Sequence, residues 1–177
     1  MKGISLINDK EGVIFHIAKG QYRTIISGRD TDGKYAIIEM NVPPGAGPFP
    51  HAHKNTEEVF YVANGEVDFR TKEGTFKAKA GDTIKIPLGG EVHSFKNTSQ
   101  KDVKLICTVY PAGFDEMFEE INASDSSKAI EIGEKYGNQF FHEDYFGKAL
   151  DRDEKKANEN PSIGVLLCKD KDNEMVE

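Results

Sequence analysis

Between Tyr35 and Tyr110 the chain breaks into short runs of alternating apolar and polar residues separated by Gly, Pro and Asn turns. Few folds accommodate such spacing. Tyr35 to Val42 reads as a strand with Ala36, Ile38, Met40 and Val42 on one face, because successive strand residues point to opposite sides. Pro43-Pro44-Gly45 ends it. Further runs follow at Glu66 to Thr71, Thr75 to Ala80, Thr83 to Ile86, Ser94-Phe95 and Val103 to Tyr110. Val13 to Ala18 and Tyr22 to Ser27 add two more upstream, and Arg29 to Gly33 has the composition of a turn. Such a set of short strands predicts an all-β double-sheet barrel or sandwich.

The stretch Gly45 to Gly65 carries the chemistry. His51 and His53 stand two residues apart, so on one strand their imidazoles share a face. Glu57 and Glu58 follow, and residues Gly81 to Asn97 can bring a third imidazole, His93. Three imidazoles and a carboxylate suit a divalent transition metal such as Fe, Mn, Ni, Co, Cu or Zn, and suit magnesium or calcium poorly. Parity on an unbroken strand points Glu57 to the histidine face. The turn-like Lys54-Asn55-Thr56 can instead reset the register in favour of Glu58.

The two runs together resemble the paired motifs of the cupin family. Gly45, His51-x-His53, Glu58 and Gly65 fit the first motif without a gap. Gly81, Pro87-x-Gly89, His93 and Asn97 fit the second, with one extra residue before His93 in the Gly89-Gly90 turn. The resemblance implies a double-stranded β-helix, or jelly-roll barrel, with metal ligands His51, His53, Glu58 and His93, and its spacing favours Glu58 over Glu57. The barrel is then expected over residues 1–111, with core motifs at 45–97.

An inward Glu58 carries Phe60 and Val62 to the same side, and Phe95 follows His93 by two residues. Met40, Phe49, Phe60, Val62 and Phe95 are therefore the candidate pocket residues. A pocket of that kind suits a small aromatic or enol-type molecule better than a phosphosugar. The cysteines Cys107 and Cys168 make no metal-binding spacing, and Cys107 reads as core.

The period changes after Pro111. Phe114, Met117, Phe118 and Ile121 fall at helical spacing, and Ser126 to Tyr136 predicts a second helix stopped by Gly137. Residues 112–150 are thus expected as short helices on an outer face of the barrel, their Phe and Met residues serving as packing. Residues 151–177 read as a polar tail, with an apolar segment at 163–168 that could add as a strand. His16 and His142 read as a sheet-face and a surface histidine.

With 30 acidic against 23 basic residues the formal charge is −7, which argues against nucleic acid or an anionic membrane as partner. No apolar run reaches membrane-spanning length, and the expected location is cytoplasmic. The Pro111-to-Phe114 step into a helical tail is similar to single-domain quercetin-dioxygenase-like cupins. That resemblance implies a metal-dependent dioxygenase with dioxygen as co-substrate, Glu58 as catalytic base, and a homodimer. A metal-dependent isomerase or lyase, and a non-catalytic small-molecule-binding barrel, are the alternatives.

Overall fold

The computed structural model describes residues 3–147. The polar tail at 151–177 and its candidate strand at 163–168 lie outside these residues. Eleven strands, numbered in chain order, are β1 (Ile14–Ile17), β2 (Gly20–Ile26), β3 (Ala36–Val42), β4 (His51–His53), β5 (Glu57–Asn64), β6 (Glu66–Thr71), β7 (Gly74–Lys79), β8 (Thr83–Ile86), β9 (Ser94–Lys96), β10 (Val103–Tyr110) and β11 (Asn138–Phe140). Two helices, α1 (Phe114–Ala123) and α2 (Ala129–Lys135), lie between β10 and β11.

The fold is a β-barrel of facing sheets with short helices after β10. One sheet has the order β1-β2-β3-β10-β5-β8; facing it are β7-β6-β9 and the pair β11-β4. The alternation in β3 makes Ala36, Ile38, Met40 and Val42 its buried side, and Val103, Leu105, Cys107 and Val109 do the same in β10. Cross-sheet aromatic contacts close the core: Phe60 of β5 lies 5.5 Å from Phe69 of β6 and 5.7 Å from Phe95 of β9, ring centre to ring centre. Edge-to-face packing of this kind adds to the ~1.5–3 kcal/mol that each buried large apolar side chain contributes.

The turns explain the breaks. Arg29 to Gly33, expected as a turn, overlaps a 3-10 turn over Gly28–Thr31, closed by Asp30 accepting from the Ser27 backbone and hydroxyl. Asn97, the last residue of the second motif, is fully buried and structural. Its side-chain amide donates to the carbonyls of Val42 and Lys101, and its oxygen accepts from Ser99. Its backbone pairs with Gly45 and Ala46, so one residue ties the end of β3 to the loop leading into β4.

The helices depart from their expected place. The apolar side of α1 faces inward: Phe114, Met117 and Phe118 are buried with the barrel core, and Tyr22 of β2 packs edge-on against Phe118 at 5.4 Å. The physical reason is β11, whose pairing with β4 draws the helical segment back against the barrel. The apolar residues of α1 thereby cover core that would otherwise face water. Among the described residues no helix is long and apolar enough to cross a membrane.

Outside the core, Glu39 accepts from Arg23 at 3.2 Å and Lys104 at 3.1 Å across neighbouring strands. Burial works against its charge, but these two cations outweigh it and hold the carboxyl below its ordinary value of 4.5. A depressed folded pKa means that the stabilisation is complete above about 4.5 and is lost as pH falls through the lower folded value. Glu39→Gln is expected to cost about 1 kcal/mol at neutral pH. The gap from wild type should close in urea titrations carried below that window.

At Gly47 φ is +150°, and an added Cβ would sit 2.0 Å from the carbonyl oxygen of Phe95. Neither backbone can yield without separating β9 from the loop before β4. Gly47→Ala should lower the urea midpoint by an amount equivalent to roughly 2–4 kcal/mol.

Candidate metal centre

His51 and His53 alternate with Ala52 on β4, which places both rings on the interior side of a strand only three residues long. Pairing fixes that strand from both edges. β11 runs antiparallel to it, with Phe140 opposite His51 and Asn138 opposite His53. On its other edge His51 and His93 exchange both backbone bonds at 2.9 Å. Directly paired residues carry their side chains to the same face, so the third imidazole is delivered by the backbone itself. The extra residue before His93 is absorbed upstream, where Gly89 has φ +67° and Gly90 packs too close to Pro87 to admit a side chain.

The glutamate ambiguity is settled by the break at Lys54 to Thr56. Glu58 is 3% exposed and faces inward, whereas Glu57 turns outward to Lys85 at 3.3 Å. One donor atom from each of His51, His53, Glu58 and His93 falls in a group within 4.8 Å.

Each imidazole is oriented by a backbone carbonyl. Nδ1 of His51 lies 2.9 Å from the Phe49 carbonyl, Nδ1 of His53 lies 2.6 Å from that of Thr56, and Nδ1 of His93 lies 2.9 Å from that of Glu91. A carbonyl only accepts, so each Nδ1 carries a proton, and a ring that is neutral presents its lone pair at Nε2. Such outer contacts are the usual means of fixing a metal-binding tautomer.

The inner atoms form a set that could hold a cation. Nε2 of His53 is 2.9 Å from Oε2 of Glu58, and Nε2 of His93 is 3.3 Å from the same oxygen. The latter lies off the direction of a hydrogen bond and leaves the buried His93 Nε2 without a hydrogen-bond partner. Ligands each about 2.0–2.2 Å from one ion stand about 3 Å apart when adjacent. The unpartnered nitrogen, the spacing and the donor set all fit a divalent transition metal.

The charges agree. Burial opposes ionisation of Glu58, but its hydrogen bond with His53 and the nearness of His93 hold the carboxyl well below the usual carboxylate range. Burial, reinforced by His93, pulls His51 down to about 4, so it is neutral at physiological pH. For His53 burial works downward, yet the hydrogen bond and charge of Glu58 raise it above its ordinary value.

A cavity of about 410 Å³ adjoins this cluster, with His51 and Glu58 in its wall. Of the pocket residues expected from the sequence, Met40, Phe60 and Phe95 line it, and Phe49 lines it at an exposed position. Val62 does not. It is fully buried opposite Leu105, where packing against the sheet leaves no open space beside it. Helical spacing alone marked Phe114, Met117, Phe118 and Ile121 as packing, but they are cavity wall as well.

Two residues without a motif signal also belong here. Tyr22 lines the cavity, its phenol kept protonated chiefly by burial, with Cys107 and Glu58 adding to the effect. Cys107 lies 3.6 Å from Oε1 of Glu58, and burial first, then Glu58, pushes its thiol well above the ordinary value. His16 lines the cavity from an exposed position on β1; His142 is exposed and paired with Asp144 at 2.7 Å.

Residues 38–109 match the family model described as a cupin domain. An uncharacterized protein of Methanocaldococcus jannaschii is 32% identical over 78 residues, covering 44% of this chain and 62% of that protein. The quercetin 2,3-dioxygenase of Bacillus subtilis is 25% identical over 97 residues, 55% of this chain and 28% of its own length. The chain thus spans less than two thirds of these curated relatives. Among solved structures, the polyketide cyclase RemF of Streptomyces resistomycificus matches with TM-score 0.55 at 19% identity, over 61% of this chain and 80% of that one. A predicted oxalate decarboxylase of Thermotoga maritima matches with TM-score 0.55 at 23% identity, over 60% and 99%. At these identities the structural likeness concerns the fold.

Elemental analysis of untagged protein should find about one equivalent of a divalent transition metal per chain, and His51→Ala should retain less than a tenth of it. A metal content unchanged in the variant would remove His51 from the ligand set.

Proposed function

We propose, from the premise that residues 38–109 of this chain form a cupin domain, that the protein is a metal-dependent enzyme of the dioxygenase type. Its substrate is a small aromatic or enol- or diketone-like molecule. The observation that carries this reading is the convergence of three carbonyl-oriented imidazoles and Glu58 at the wall of an apolar cavity. Fewer protein ligands than a six-coordinate ion accepts leave room for substrate oxygen.

A divalent transition metal bound there supplies Lewis acidity toward an enol oxygen and, when redox-active, a path for electrons to dioxygen. The chain's own residues do the rest. Phe60, Phe95, Phe114 and Phe118 offer ring edges and faces that hold a flat apolar body and keep water out. Glu58 is the carboxylate in the cavity wall, and its Oε2, the oxygen on the ligand side, accepts the proton of the substrate hydroxyl as the enolate forms. The likeness to a quercetin 2,3-dioxygenase, though it spans only 28% of that protein, supports the oxygen-dependent form of the reading.

Oxygen uptake with a panel of flavonols and 1,3-diketones tests it. The metal-loaded protein should consume dioxygen with at least one member, and Glu58→Gln should lower turnover by about 100-fold or more. Loss of metal in the same proportion as turnover would end the proton-acceptor role, and turnover undiminished under strict anoxia would make the enzyme an isomerase or lyase.

A further inference from the structure

We infer that Cys107 is a positioning residue for Glu58, one that occupies Oε1 so that the carboxylate offers a single oxygen to the metal. The inference rests on the metal-site reading above. In the pairing of β10 with β5, Val109 stands opposite Glu58 and Cys107 opposite Phe60. Cys107 is therefore the diagonal neighbour of Glu58 on the inner face, within side-chain reach across the strands. Its thiol sits 3.6 Å from Oε1, a sulfur-donor hydrogen bond, and Cys107 itself is fully buried.

The other oxygen has a different set of neighbours. Oε2 is the atom that lies 2.9 Å from His53 Nε2 and 3.3 Å from His93 Nε2, the latter nitrogen buried and without a hydrogen-bond partner. The two carboxylate oxygens thus face two different sides, one toward the ligand cluster and one into the β10 side of the core. A free carboxylate can rotate and bind a metal through both oxygens. A donor fixed on Oε1 opposes that rotation and spares a coordination position for a substrate atom. An alkyl side chain at 107 would fill the space but supply no donor. This gives a reason for a thiol at a position whose strand neighbours on the inner face, Leu105 and Val109, are aliphatic.

The full-length protein, stripped of metal with a chelator, is titrated with cobalt(II), whose visible absorption reports coordination number and geometry. Cys107→Ala, which removes the donor, should bind cobalt about tenfold more weakly than wild type and with an altered visible spectrum. Cys107→Ser, which keeps a donor on a side chain equally short of the sulfur's volume, should lie closer to wild type in both. If Cys107→Ala does not fold, Cys107→Val replaces it with the same expectation.

Wild-type affinity and spectrum in the donor-less variant would overturn the inference while leaving the metal site intact. Equal weakening by Ala and Ser would overturn it too, because the cause would then be lost packing. Absence of cobalt binding by wild type would remove the metal reading and this inference together.

Discussion

Two backbone hydrogen bonds, each 2.9 Å, join His51 to His93, and most of what is chemically distinctive in this barrel depends on them. They make a reciprocal pair between a three-residue strand and the residue just ahead of β9. Because directly opposed residues share a face, this one pair sets two imidazoles side by side, with ring centres 4.5 Å apart. It also joins β4 and β11 to the β7-β6-β9 sheet, so that a wall of the barrel and the candidate ligand set are secured by the same contact. A side-chain link could be replaced without loss of register; this one cannot.

The cluster is otherwise a costly thing to bury. A desolvated carboxylate carries a penalty of several kcal/mol unless partners compensate it, and Glu58 sits among rings whose outward protons are already committed to carbonyls. Within the described protein, the compensation falls to His53, whose acidity is weakened accordingly. An ion is the partner this geometry suits better, since it satisfies all the inward lone pairs at once. The outward contacts come from backbone, so the orientation of each ring follows from the path of the chain and is insensitive to neighbouring side chains.

Much of this was legible in the sequence, for reasons that differ from place to place. Period-2 alternation located β3 and β10 because their inner and outer faces meet opposite solvents, and turn residues marked their ends. His51 and His53 could be paired by parity alone. Parity failed at Glu57 and Glu58, where a three-residue break reset the strand and only motif spacing pointed to Glu58. Val62 shows the limit of the same rule: facing inward is not the same as facing the cavity, and depth along β5 is set by partners in other strands. Position of α1 was out of reach for a related reason. Helical periodicity tells that a face is covered, but the pairing of Asn138–Phe140 with β4, well beyond the end of α1, decides what covers it. Cys107 had no local signal, since its relation to Glu58 exists only across the strand pair.

The placement of β11 has an evolutionary corollary. All four candidate ligands fall within residues 38–109, whereas a large part of the cavity wall comes from 114–140. The latter is attached to the former by three backbone pairings and by apolar contact, neither of which demands particular side chains at the wall. The candidate ligands and much of the cavity wall are therefore carried on separable stretches of the chain. Substitutions along α1 can reshape the cavity while the imidazoles keep their carbonyl anchors, so its shape is free to drift without disturbing the candidate ligand set.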